Sequence, residues 1–176
     1  MGSVYNLYVV YADMSDLENA GRCIEEFLAL IPYVTFEKPI HYFIFLRAAI
    51  THYETLGQFA EAEAMFGRAM NDLPRLTGNE YAEILTLLLH DRSTLAMRMG
   101  NRKEAKEWLE CEVETLRQFY TEPDARYALW YAGYGAWYGL ERQFEKAEEM
   151  FLRALPNLVG LDEREKGIYE ANIYDN

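Results

Sequence analysis

The chain has 176 residues, 51% of them hydrophobic, and carries 14 Tyr, 9 Phe and a net charge of −12 from 29 acidic and 17 basic side chains. That balance speaks against nucleic acid and anionic membrane surfaces, both of which are held through clustered Lys and Arg. No apolar run approaches the ~18–20 residues that cross a bilayer, and no leader pattern stands at the N-terminus, so a cytoplasmic protein with one well-filled domain over 1–176 is expected.

In chain order the pattern predicts nine helices, over 2–14, 15–31, 39–56, 58–74, 79–99, 101–120, 122–141, 143–158 and 162–175. Ser15 and Glu18 read as a capping box for the second, and Pro39 is placed to open the third. Phe59, Ala62, Phe66, Ala69 and Leu73 step by three and four, as do Phe144, Ala147, Phe151, Ala154 and Leu158. These are amphipathic helices whose outer faces carry Glu61, Glu63, Glu145, Glu148 and Glu149. Thr77 with Glu80 reads as a second capping box, and Thr121–Glu122–Pro123–Asp124 opens the seventh helix.

The helices pair into repeats. Ala20, Ala62, Ala105 and Ala147 lie 42, 43 and 42 residues apart, followed four residues on by Ile24, Phe66, Leu109 and Phe151. The breaks at Ser15–Asp16, Gly57–Gln58, Gly100–Asn101 and Arg142–Gln143 keep the same spacing. A fixed period of this length marks a two-helix unit stacked on copies of itself. The units cover about 1–32, 39–76, 79–120 and 122–160, with a terminal helix over 162–175. Ile173–Tyr174–Asp175–Asn176 falls one period after Trp130–Tyr131–Ala132–Gly133. Either a capping helix or a piece of a longer solenoid would show that.

Gly57, Phe59, Ala62, Phe66, Ala69 and Pro74, and again Tyr131, Gly135, Tyr138, Phe144, Ala147, Phe151 and Ala154, resemble the tetratricopeptide repeat. The period exceeds the usual ~34 residues and is similar to the long repeats of kinesin light chains and of bacterial peptide-sensing regulators. Repeat three departs most, with Ser93 in the glycine position, Arg92 in an apolar one and Glu112 in a small one. The resemblance implies an all-α fold, a right-handed α-solenoid of four hairpins plus a terminal helix, with first helices lining a concave groove. Rows of groove residues then follow: Tyr5, Arg47, His90 and Ala132; Val9, Thr51, Thr94 and Ala136; Ala12, Glu54, Met97 and Gly139; with Arg98 beside the last. Arg47, His90 and Arg98 are candidate donors to a peptide carboxylate or backbone. The basic-and-Asn clamp for chaperone tails is missing, its places holding Tyr5, Val9, Ala48, Leu87 and Asp91.

Catalytic chemistry finds no footing. His41 and His52 would stand about 16 Å apart on one helix, too far to share a metal, and the histidines read as solvated or hydrogen-bonded. Glu110 and Glu112 beside Cys111 oppose a thiolate; Cys23 and Cys111 read as reduced thiols. Gly133, Gly135 and Gly139 lie inside a helical pattern, not in a dinucleotide loop, and the paired carboxylates fall on exposed faces. No enzyme, cofactor or metal is expected. A protein-interaction module that holds a peptide or partner helix is; the alternative is the ligand-sensing domain of a larger regulator, and exposed aromatics allow self-association.

Overall fold

In the computed structural model, residues 2–33, 36, 38–161, 163, 166 and 167 are described, with side chains from Val4 onward. Among them the chain is all-helical, with no strand. Eight α-helices follow in order: α1 (Gly2–Asp13), α2 (Leu17–Leu30), α3 (Pro39–Thr55), α4 (Phe59–Asp72), α5 (Gly78–Arg98), α6 (Arg102–Phe119), α7 (Ala125–Leu140) and α8 (Phe144–Ala154). The helix expected over 162–175 lies almost wholly outside the described residues. Among the described residues no helix is long and apolar enough to cross a membrane.

The four predicted breaks share one backbone conformation. Ser15, Gly57, Gly100 and Arg142 all have left-handed φ, at 57°, 71°, 79° and 58°. Their N–H groups donate to the carbonyls of Ala12, Glu54, Met97 and Gly139 at 2.9–3.0 Å, and the N–H groups of Asp16, Gln58, Asn101 and Gln143 reach back to Tyr11, Tyr53, Ala96 and Tyr138 at 2.8–2.9 Å. This paired closure is the Schellman motif, which satisfies the last carbonyls of the preceding helix. The carbonyls of Asp16, Gln58, Asn101 and Gln143 then accept from the N–H groups of Ala20, Ala62, Ala105 and Ala147, so each turn starts the next helix as it ends the last. The cap of α2 is therefore Asp16, whose carboxylate accepts the Asn19 N–H at 3.2 Å. Ser15, expected in that role, is spent on the left-handed position before it.

Proline sets where the second helices stop. α2, α4 and α8 end two residues before Pro32, Pro74 and Pro156, each continuing into a 3-10 turn that holds the proline (Ile31–Tyr33, Leu73–Arg75, Leu155–Asn157). The fourth and eighth helices are thus shorter than the 58–74 and 143–158 predicted, because a proline disfavours α geometry in the residue before it. α6 meets no proline and runs to Phe119.

The chain forms two compact units, Met1–Ile84 and Leu85–Asn176, the division falling within α5. In the first, α1 packs on α2, α2 on α3 and α3 on α4. Tyr8, Ala20, Cys23, Ile24 and Ala49 form one buried cluster, and Phe27 stacks on Phe45 at 3.7 Å and 4°. Tyr42 ties α3 to α4, donating to Asp72 at 2.5 Å and accepting from Arg68 Nε at 3.0 Å.

In the second unit α7 packs on both α6 and α8, around Val113, Leu116, Tyr127, Ala128, Tyr131, Ala154 and Leu158. Two indoles pin α7 to α6: Trp130 Nε1 donates to the Leu109 carbonyl and Trp137 Nε1 to that of Arg102, both at 2.8 Å. Gly135 lets α8 come close, since a Cβ there would sit 2.6 Å from the Phe151 ring. Arg92, unexpected in an apolar position, pairs with Glu104 at 2.5 Å, and the same carboxylate accepts Trp108 Nε1 at 3.2 Å.

Candidate functional site

The expected groove residues are divided between the units. In the first, α1 and α3 are neighbours: Tyr8 Oη donates to the Ala48 carbonyl at 3.1 Å, and Tyr5 meets Phe45 edge-on at 5.2 Å. Tyr5 and Arg47 are half-buried on these helices and Thr51 is exposed, its carbonyl taking the Thr55 hydroxyl at 2.8 Å. Glu54 is buried, with 7% of its surface exposed.

In the second unit α5 and α7 are neighbours, with the His90 ring 3.3 Å from where a Cβ on Gly133 would stand. His90 Nδ1 also lies 3.4 Å from Glu112 Oε1, a carboxylate on α6 that is fully buried. His90 is thereby wedged among three helices, its side chain one-fifth exposed. Thr94, Met97, Ala132, Ala136 and Gly139 are half-buried along α5 and α7, and Arg98 is exposed. Thr94 caps the His90 carbonyl at 3.2 Å. Nothing lies within 4 Å of a Cβ built on Gly139, so the end of α7 offers open space at a main chain that can be approached closely.

Besides the acids of the exposed faces, the carboxylates of Glu54, Asp91 and Glu112 are buried. His52, expected to be solvated or hydrogen-bonded, is 5% exposed and packed between the rings of Tyr8 and Tyr53, its Nε2 3.0 Å from where a Cβ on Gly21 would be. Burial holds its pKa below the usual value, against the opposing pull of Glu25. Both free cysteines are accounted for, Cys23 buried and Cys111 exposed. Among the described residues no three His, Cys, Asp or Glu gather closely enough to hold a metal.

One feature was not foreseen. Where the end of α6, the α6–α7 connection, α7 and α8 meet, a cleft of about 390 Å³ is walled by Tyr120, Tyr127, Trp130 and Tyr131, with Arg117, Arg153 and Glu122 at its polar side. Tyr131 Oη donates to Glu122 at 3.1 Å, and burial with that carboxylate raises its pKa. The arginines carry surface pairs, Arg117 with Glu114 and Arg153 with Glu149, each at 2.7 Å. Aromatic walls beside guanidinium groups suit a planar or aliphatic group that ends in a carboxylate. The signal in the sequence was the run of rings from Tyr120 to Tyr131; it lay outside the first-helix rows on which the repeat pattern focused.

No protein-family model matches the chain, and no curated protein matches it either.

Proposed function

We propose that the chain is a non-enzymatic protein-interaction module: a right-handed α-solenoid of four tetratricopeptide-like hairpins and a terminal helix, whose first helices hold a peptide or partner helix. The observation that carries the reading is the fourfold turn, one hydrogen-bond pattern at spacings of 42, 43 and 42 residues. Within each unit one first helix lies beside the next, α1 by α3 and α5 by α7, as a groove lined by first helices needs. Arg47 and Arg98 supply charged donors, and the small residues Ala132, Ala136 and Gly139 leave room for a backbone to approach.

The test is to select a peptide from a displayed random library on the chain and titrate it, labelled, against Arg47→Glu and Arg98→Glu variants. Loss of about tenfold in affinity, ~1.4 kcal/mol, in at least one variant is expected; unchanged affinity in both removes the groove. The cleft beside Trp130 favours a second reading, the ligand-sensing domain of a larger regulator. Binding that changes Trp130 fluorescence and is weakened by Arg153→Ala, with Arg47→Glu neutral, would select it.

A further inference from the structure

We infer that the cleft beside Trp130 takes a free aromatic α-amino acid, its carboxylate on Arg117 and Arg153, its ammonium on Glu122 and its ring among the tyrosines. The inference rests on the reading of this cleft as a ligand site and names what fills it. Both arginines mark departures from the repeat. Arg117 stands where Pro32 and Pro74 stand, so α6 is not stopped there and runs on to Phe119, carrying a guanidinium and then the Tyr120 ring to the cleft. Arg153 and Tyr127 are the counterparts of Arg68 and Tyr42. In the first unit that arginine is used internally: its Nε donates to the Tyr42 hydroxyl, which donates to Asp72. In the second unit Asn157 replaces the aspartate and serves the main chain, accepting the Asp124 N–H at 3.1 Å and donating to the Arg153 carbonyl at 3.0 Å. At equivalent places the second unit has thus gained a cation and lost an anion.

The polar groups converge on two phenol hydroxyls. Tyr131 Oη donates to Glu122 at 3.1 Å and is flanked by the Arg153 guanidinium, whose pull on its pKa opposes that of the carboxylate. Tyr127 lies within electrostatic reach of Glu122 and Arg117 in the same way. One carboxylate and two guanidiniums around a small volume suit a ligand that bears both charges on adjacent carbons, as an α-amino acid does. A lone carboxylate would also meet Glu122, and a lone amine two guanidiniums. The arginines can serve a ligand, since their pairs with Glu114 and Glu149 have both side chains more than half exposed and such pairs hold weakly. The walls are set beforehand: Trp130 Nε1 is bonded to the Leu109 carbonyl, Tyr120 lies 4.2 Å from the Arg126 guanidinium, and Tyr127 and Tyr131 are buried. Groups already fixed lose little freedom on binding. A volume of about 390 Å³ is near the lower end of the ~300–1,000 Å³ of small-molecule sites, as a single residue needs. In the repeat register Glu148 corresponds to Gly21, which abuts His52 of the following first helix. Met150 and Arg153, which line the cleft, lie about 140–160° round α8 from Glu148, so the cleft is away from that seam.

Calorimetric titration of the full chain tests this with L-phenylalanine and L-tryptophan, and with the analogues of each that lack the ammonium (3-phenylpropionate, indole-3-propionate) or the carboxylate (phenethylamine, tryptamine). The better amino acid is expected to bind with a Kd of order 0.1 mM, and both of its analogues at least tenfold more weakly. Glu122→Gln and Arg153→Gln should each weaken the amino acid about tenfold. Glu122→Gln should at the same time tighten the propionate, a reversal that a merely structural role for Glu122 would not give. The analogue comparison is made on the wild type, so it decides the matter even if circular dichroism shows lost helix in a variant. An analogue that binds as tightly as its amino acid, or an amino acid bound equally by the wild type and both folded variants, would overturn the assignment; in the first case, with the analogue weakened by Arg153→Gln, the cleft would remain a ligand site. No binding of any of the six up to about 10 mM would overturn both the assignment and the reading on which it rests.

Discussion

Left-handed backbone costs an L-residue about 1–2 kcal/mol, a penalty glycine escapes. Ser15 and Arg142 sit there as non-glycine residues, at positions where Gly57 and Gly100 stand in the other two turns. Ser15→Gly and Arg142→Gly should each raise stability by about 0.5–1 kcal/mol, part of the relief being offset by glycine's greater freedom in the unfolded chain. Gly57→Ala and Gly100→Ala should lose about 1 kcal/mol. A Cβ at either meets nothing within 4 Å, so the loss would be backbone strain alone. Urea midpoints at constant slope measure all four; equal midpoints across the set would mean that the left-handed geometry carries no cost here. The positions of these turns were legible in the sequence. Which residue capped α2 was not, because Ser15 and Asp16 both belong to the capping alphabet and only the φ of Ser15 separates their roles.

Between elements, the least legible features are polar groups placed inside seams. Glu112 stands where Ala69 and Ala154 stand in their repeats. The pattern marked it as a departure but could not show that α5 brings His90 against it. The α2–α3 seam is similar: His52 lies on a helix whose polar and apolar positions alternate too loosely to reveal which face is covered. Its burial has a measurable consequence. With its folded pKa below the ordinary 6.5, the folded state resists protonation while the unfolded chain accepts it. Stability is then present in full above pH 6.5 and declines as the pH falls below that value. His52→Gln should flatten this decline between about pH 7 and pH 5, followed by urea midpoints; a variant with the wild-type slope would assign the effect to other groups.

At the scale of the whole chain, the tyrosines set the alkaline limit. Burial raises the phenols of Tyr8, Tyr42, Tyr53, Tyr127 and Tyr131, and pushes Tyr134 up to about 12 with help from Glu110 and Tyr138. In the unfolded chain they would ionise near 10. Above that pH the unfolded state releases protons that the folded state keeps, so stability falls as pH rises from about 10 toward 12. Phenolate absorbance should therefore lag, then appear together with loss of helical circular dichroism. Smooth ionisation near pH 10 with the helices intact would contradict this. The all-helical fold and eight helix spans were readable because hydrophobic period, glycine and proline all act locally. The cleft beside Trp130 was not, since its walls come from α6, α7, α8 and the α6–α7 connection, and only packing brings them together.

The fourfold turn has one more implication, for ancestry. Each corner is fastened by main-chain groups that every amino acid except proline possesses, so a change of side-chain letter costs about 1 kcal/mol of backbone strain and leaves the fastening in place; serine and arginine already occupy two corners that glycine occupies elsewhere. A lineage built on such corners would lose its spelling long before its shape, and kinship is better sought in where the chain bends than in which residues do the bending.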